Sequence, residues 1–417
     1  MNQNYYFKNI NILKNSSTEV FKDSVVIINN EIIAFGENAS KIAKKENISS
    51  TESKNKLLAP LLVDIHSTLE DPISGFKDDL IRLKKRAKRS GYGVIALLPD
   101  SNYCRDKPEK IPSQVNKIND IQIFFWGSFT FNDEGLFLSQ HDELLKSGSI
   151  GLSSSYFDDL SIMYKGMKID SCNSYPLLIS SKKNNNNNKV FAFEDIQALQ
   201  AGFHTYEQFQ NKIDLDMLMH LQELFKEKRI IIKNIFDPES CQKLKESNSS
   251  ISATINWWNL IADTNNLKIN DIGWKIDPPL NNNQDRNLLI RALEENLIDA
   301  IAVNSIPLSD EDIYQPINER KSGISSFELV LPLLWEEFIT KRAWKICKLW
   351  KHLSFLPSQL IGIQEEELNI GNKRWLIFDP DKTWINSQIY LGYDSPSNIP
   401  KKNELIKGCI TAYGLAD

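Results

Sequence analysis

LLVDI (61–65), DDLIRLKKRAKRSG (78–91) and VIALLP (94–99) follow one another closely, and their order decides the fold. The outer two segments are almost unbroken apolar runs, and the middle one repeats apolar residues at helical spacing among charges. A strand that is apolar on both faces needs cover on both faces, which a helix linking two parallel strands supplies. The same alternation continues outward through IQIFFWG (121–127), SYPLLIS (174–180), DLDMLMHLQELFKEK (214–228), RIIIKNIF (229–236) and IDAIAV (298–303). Strand and helix repeated over about 300 residues predict an α/β fold closed as a (β/α)8 TIM-type barrel, placed over 58–364.

The two ends of the chain read differently. YYFKNINIL and EVFKDSVVIINNEIIAFGE (residues 5–13 and 19–37) alternate short apolar runs with turn residues, and Asn29-Asn30 suits a hairpin. Near the other end, RWLIFDPDKTWI (374–385) reads as a strand, a turn at Asp379-Pro380-Asp381 and a second strand, with LIKGCITAYG (405–414) as a third. Residues 1–57 and 365–417 are therefore expected to form one small composite β-sandwich domain. The tract Asn184–Asn188 reads as a solvated loop.

The composition suits a folded protein: of 417 residues, 41% are hydrophobic and 25% charged, close to the globular average. A net charge of −5 gives no general electrostatic reason to bind nucleic acid. The five cysteines are odd in number and form no CxxC pair, so no disulfide framework or zinc–thiolate site is expected, and a reducing cytoplasm fits best. The N-terminus lacks the pattern of a signal peptide, and no uncharged apolar run reaches the roughly 18 residues of a membrane span. Motifs for dinucleotides, P-loops, zinc proteases and serine hydrolases are absent from the sequence.

Four stretches in a fixed order carry a family resemblance: APLLVDIHSTLEDP (59–72), GYGVIALLPDS (91–101), WKIDPPLNNNQDRNLLIRALEENLIDAIAVNSIP (274–307) and GISSFELVLPLL (323–334). Together they resemble the landmarks of dihydroorotases, cyclic amidohydrolases of the metal-dependent hydrolase superfamily. The resemblance implies a two-metal centre at the C-terminal ends of the barrel strands, where bound hydroxide attacks a ring amide. At the matching positions, however, the expected ligands are replaced. His66 keeps the first histidine of H-x-H, but Thr68 holds the second place. Ser153 stands near the bridging acid, Ser180 and Asn234 at histidine positions, and Asn304 at the position of the catalytic aspartate. The substrate positions change as well: Glu70 replaces an arginine, Asp100 an asparagine and Asn281 an arginine, with Asp277 beside them. Exchanging a guanidinium for a carboxylate repels an anionic substrate by roughly a few kcal/mol.

One imidazole cannot hold a zinc pair. No cofactor is expected, with zinc as the alternative, and His66 reads as a relic packed at a strand end. Of the other histidines, His220 reads as a structural residue on an apolar helix, His204 as a loop or cap residue, and His141 and His352 show no partner spacing. Trp257 and Trp258 are read either as core or as the aromatic wall of a remodelled pocket. Ser153, Ser154 and Ser155 read as a loop. Lys84, Lys85, Arg86, Lys88 and Arg89 read as a solvated helix face, and Asp64 and Glu328 as hydrogen-bonding residues near strand ends.

The resemblance thus implies a dihydroorotase-like protein of pyrimidine biosynthesis that has become a pseudoenzyme, with aspartate carbamoyltransferase or self-association as the expected partnership. Two alternatives remain at this stage. One is an active dihydroorotase or related cyclic-amide hydrolase with an unusual metal site. The other is a sensor that binds a cationic or neutral ligand through Glu70, Asp100, Trp257 and Trp258.

Overall fold

The computed structural model describes residues 4–53, 55–69, 75–99, 104–112, 116–117, 119–155, 159–169, 173–180, 192–193, 199–200, 202, 205–206, 208–247, 249–317, 319–387 and 396–416. Eight parallel strands form the barrel: β1 (Leu62–Ser67), β2 (Tyr92–Leu97), β3 (Gln122–Phe125, continued by Gly127–Ser128), β4 (Leu152–Ser154), β5 (Pro176–Ser180), β6 (Arg229–Lys233), β7 (Ser252–Asn256) and β8 (Ala300–Ala302). Each is hydrogen-bonded in parallel to the next. The ring closes where Asn304 N donates to His66 O at 3.1 Å and Thr68 N to Ser305 O at 2.8 Å.

Alternation along the strands sorts two apolar sets. Leu62, Ile95, Phe125, Leu152, Leu177, Ile232, Ile255 and Ile301 join the large outer core. Val63, Val94, Trp126, Leu178, Ile231 and Ala302 form a separate cluster within the ring, floored by Ile361. By this alternation Ser153, Ser180, Lys233, Thr254 and Asn304 fall on the inward side of their strands.

The termini build one seven-stranded mixed sheet. Tyr5–Ile12, Phe21–Ile28 and Glu31–Phe35 run antiparallel, with Asn29 and Asn30 at φ 52° and 63° in the turn. Leu57–Ala59 then joins them to Leu376–Ile385 and Leu405–Tyr413. One face carries Phe7, Val25, Ile27 and Trp375, and the other covers Tyr6, Val26 and Ala34 with the helix Gly36–Lys45.

Three expectations are corrected here. Asp379-Pro380-Asp381 does not divide two strands. Leu376–Ile385 is one strand that keeps the same partner on both sides of a bulge between Asp379 and Thr383, and Asp379 Oδ1 accepts from Asp381 N and Lys382 N. The serine run is not a loop either, because Ser153 and Ser154 belong to β4 and pair with Leu178 and Ile179. Nor is the basic run wholly solvated. On the helix Phe76–Arg89, Arg86 and Lys88 are buried, Arg86 binding Glu328 and Lys88 binding Asp120. Leu80, Leu83 and Ala87 are buried where this helix packs on β2 and on the strand Leu405–Tyr413, which draws their charged neighbours into the seam beneath the barrel.

Candidate functional site

The inward residues at the C-terminal ends of the strands make a neutral, hydrogen-bonded cluster with one ammonium beside it. His66 is fully buried on β1. Its Nδ1 lies 3.2 Å from Asn304 Oδ1 and its Nε2 lies 2.9 Å from Thr254 Oγ1. An amide oxygen only accepts, so with Asn304 Oδ1 facing it Nδ1 carries the proton, and Nε2 shares the one Thr254 hydroxyl proton with Ile232 O, 3.3 Å from Oγ1. Thr254 Oγ1 accepts in turn from Asn234 N at 2.9 Å. Burial first, and then the Lys233 ammonium, push the His66 imidazole down to about 3, against the opposing effect of the Asn304 hydrogen bond. It is a neutral ring with both nitrogens in use.

The other expected positions serve the backbone or packing. Thr68 gives its hydroxyl to Ser305 O at 3.0 Å, pinning β1 to the loop after β8. Asn234 and Asn304 sit just past β6 and β8 at φ 54° and 46°, a left-handed conformation that asparagine tolerates better than most residues. Ser153 Oγ and Asn234 Oδ1 are buried with no hydrogen-bond partner among the described residues. Ser180 is buried opposite Lys233. Asn281 donates to Phe236 O at 2.8 Å and accepts from Thr264 N, which fixes a loop. Asp277 is half-buried near Tyr206, whose phenol is held above its ordinary value by burial first and then by the Asp277, Asp214 and Asp237 carboxylates.

Trp257 and Trp258 are both buried, with ring centroids 5.1 Å apart, and belong to the outer core. Trp258 Nε1 donates to Gly273 O at 2.9 Å, and both indoles pack in the core. Glu70, Asp100 and His204 lie outside the described residues. His220 corrects an expectation: its side chain is 76% exposed beside Glu223, at the rim of a surface cleft with Met217 and Leu224, and not packed in the core. His141 and His352 are buried and bond the carbonyls of Phe129 and Asp299.

Sequence reasoning missed Thr254, Lys233 and a buried polar chain next to the cluster. Asp64 accepts from Val303 N at 2.9 Å and from the Ser67 hydroxyl. Ser67 Oγ accepts from Ser305 N at 3.0 Å, and Ser305 bonds Ser325 at 2.7 Å. Arg86 then reaches both Ser325 and Glu328. Burial pushes the Asp64 carboxyl up to about 7, against the bonds from Ser67 and Val303. The chain stitches β1 to β8 and to the helix Phe76–Arg89, a structural role.

Among the described residues the donor set does not suit a zinc pair. It offers one imidazole engaged at both nitrogens, together with hydroxyls and amides, where zinc takes deprotonated sulfur, free imidazole nitrogen or carboxylate. Among the described residues no three His, Cys, Asp or Glu side chains converge as a metal site.

No family model matches the chain. It is 26% identical over 395 residues to a probable dihydroorotase-like protein of Synechocystis sp., covering 86% of this chain and 88% of that one. It is 22% identical over 386 residues to a dihydroorotase of Staphylococcus epidermidis, covering 87% and 86%. Among solved structures, L-hydantoinase (dihydropyrimidinase) from Arthrobacter aurescens superposes with TM-score 0.71 at 14% identity, covering 99% of this chain and 96% of that one. D-hydantoinase (dihydropyrimidinase) from Thermus sp. superposes with TM-score 0.72 at 14% identity, covering 99% and 94%. At that identity the structural likeness speaks for the barrel fold alone.

Proposed function

Taking the chain as a dihydroorotase-like member of the cyclic amidohydrolases, we propose that it has given up ring hydrolysis and serves pyrimidine biosynthesis as a structural or regulatory protein. The observation that carries this reading is His66, whose two nitrogens are committed to Asn304 and Thr254. Ring opening needs a polarised carbonyl, an activated water and a group to move the proton. Asn304 stands where the proton carrier is expected, and an amide does not take up a proton at neutral pH. Hydroxyls and amides at the remaining positions supply hydrogen bonds, not metal ligation.

The scaffold around that cluster keeps its packing, which suits a protein valued for its surface. Its partner in this reading is aspartate carbamoyltransferase or a second copy of the chain, in a reducing cytoplasm that fits the buried free thiols of Cys104, Cys241 and Cys409. Among the described residues no helix is long and apolar enough to cross a membrane.

The test is interconversion of dihydroorotate and carbamoyl-aspartate by the purified protein, with and without added zinc, alongside Thr68→His. Both proteins are expected to match a buffer blank. Zinc-dependent turnover by the native chain would overturn the reading in favour of an active cyclic-amide hydrolase with an unusual metal site. Sedimentation of the chain alone and mixed with purified aspartate carbamoyltransferase tests the partnership separately.

A further inference from the structure

The basic run on the first barrel helix is only partly used by the fold. Lys84 and Lys88 hold Asp120, Arg86 holds Glu328, and Lys85 faces solvent. Arg89, the last residue of the helix, makes no ion pair among the described residues, and it lines a cavity of about 330 Å³ between the barrel and the terminal sheet. The apolar walls are Leu331 and Pro332 from the barrel side and Trp384, Cys409 and Tyr413 from the sheet.

The cavity's shape is held by specific contacts. Trp384 Nε1 donates to Gly408 O at 2.9 Å, which fixes the indole against the sheet. Gly408 has φ +93°, and a Cβ there would come within 2.8 Å of the Phe378 ring. The Arg86–Glu328 pair neutralises the one carboxylate in the wall. What remains is the exposed Arg89 guanidinium at the edge of an aromatic and aliphatic chamber that also carries Ser90 and Thr411, at a junction of two structural units where small-molecule sites often occur. The volume falls at the low end of the range for such sites. Arg89 precedes β2, so the chamber lies at the opposite end of the barrel from the His66 cluster.

We propose that this seam cavity is a binding site for a small amphiphilic monoanion, a carboxylate on an aromatic or branched apolar body. The carboxylate pairs with Arg89, and the apolar body lies between Trp384 and Leu331. Such a ligand touches both structural units at once, so its binding opposes their separation. This inference is independent of whether the barrel mouth is catalytic.

Phenylacetate is a suitable probe, with phenylacetamide as its uncharged counterpart. Alkylation of Cys409, followed by mass spectrometry of its peptide, reports occupancy of the cavity, and Cys347 serves as the unprotected reference. Phenylacetate is expected to slow labelling of Cys409 in a saturable manner, and to raise the unfolding temperature by roughly 2 °C once well above its Kd. Phenylacetamide should do neither. Arg89→Ala should abolish both effects, Arg89→Lys should keep part of them, and Ser153→Val at the barrel mouth should leave them unchanged. Arg89 makes no ion pair among the described residues, so Arg89→Ala is expected to fold, which circular dichroism checks. Absence of protection, equal protection by the amide, or protection that survives Arg89→Ala overturns the proposal.

Discussion

The His66 ring donates from one nitrogen and accepts at the other, and this has consequences that can be measured at single residues. With its pKa pushed down to about 3, the ring should remain a neutral Nδ1–H tautomer from pH 8 to pH 5. Two-bond nitrogen–proton NMR spectra of the histidines check this, and a His66 signal that titrates near pH 6.5 contradicts it. Thr254 matters as much, because its hydroxyl serves His66 and receives the amide of Asn234. Thr254→Val keeps the shape but leaves two buried polar groups unpaired, so a loss of about 1–3 kcal/mol in urea unfolding is expected. The sequence shows Thr68, Ser153, Ser180, Asn234 and Asn304 where the family resemblance implies companions for His66. It does not show that Thr254, from a strand nearly 190 residues away, closes the second nitrogen, since that pairing exists only once β7 stands across from β1.

Among elements, the strands legible in advance are those with long apolar runs: β1, β2, β3, β5, β6 and β8. Both β4 (LSS) and β7 (SATIN) are short and carry hydroxyls on their inward side, so no apolar period marks them. Their strand state comes from neighbours that offer backbone partners along both edges. Gly151, which leads into β4, shows how close those neighbours are: a Cβ there would strike the carbonyl oxygen of Pro176 and the Trp126 ring. Gly151→Ala should therefore push β4 away from β5 and cost about 1–3 kcal/mol or more, readable as a lowered urea midpoint. On the helix Phe76–Arg89, charge alone does not separate structural from solvated residues. Arg86→Met leaves Glu328 buried without its cation and should destabilise by about 3–5 kcal/mol. Lys85→Ala should stay within about 0.5 kcal/mol. Equal effects of the two would contradict the pairing seen here.

For the whole molecule, the two structural units share one apolar core, which contains barrel residues such as Leu331 and sheet residues such as Leu376, Phe378 and Ile406. Arg374 reinforces the seam by donating to Gly93 O and Asp120 O, each at 2.8 Å, while paired with Glu366. Urea unfolding should accordingly be a single transition by both tryptophan fluorescence and circular dichroism. Two separated transitions would mean that the units fold apart. The buried histidines set a pH dependence on that stability. His66 and His352 are pushed down to about 3 and about 4, chiefly by burial, and His141 is lowered as well. Between those values and 6.5 the unfolded chain binds more protons, so stability is full above about pH 6.5 and falls as the solution is acidified. Asp64 works the other way: its carboxyl, raised to about 7, favours the folded state below 3.8 and loses that advantage as pH rises towards 7. Burial raises the Asp285 and Asp299 carboxyls as well, and these act in the same sense as Asp64. The His66 and His352 losses together exceed the Asp64 gain, so the urea midpoint is expected to drop from pH 7 to pH 5.

Periodicity and order along the chain by themselves determined the barrel and the β character of both termini, because apolar spacing and turn chemistry are local properties. The likeness of WKIDPPL and its companion stretches to dihydroorotases is local in the same way. Only the tertiary structure decided that His66 is saturated with hydrogen bonds, that Trp257 and Trp258 belong to the core, that Ser153 lies in a strand, and that Arg86 is structural while Arg89 faces a cavity. Each of these depends on which residue from a distant segment arrives within hydrogen-bond or packing distance. That is fixed by closure of the ring between β8 and β1 and by docking of the terminal sheet beneath it, and neither leaves a trace in local spacing.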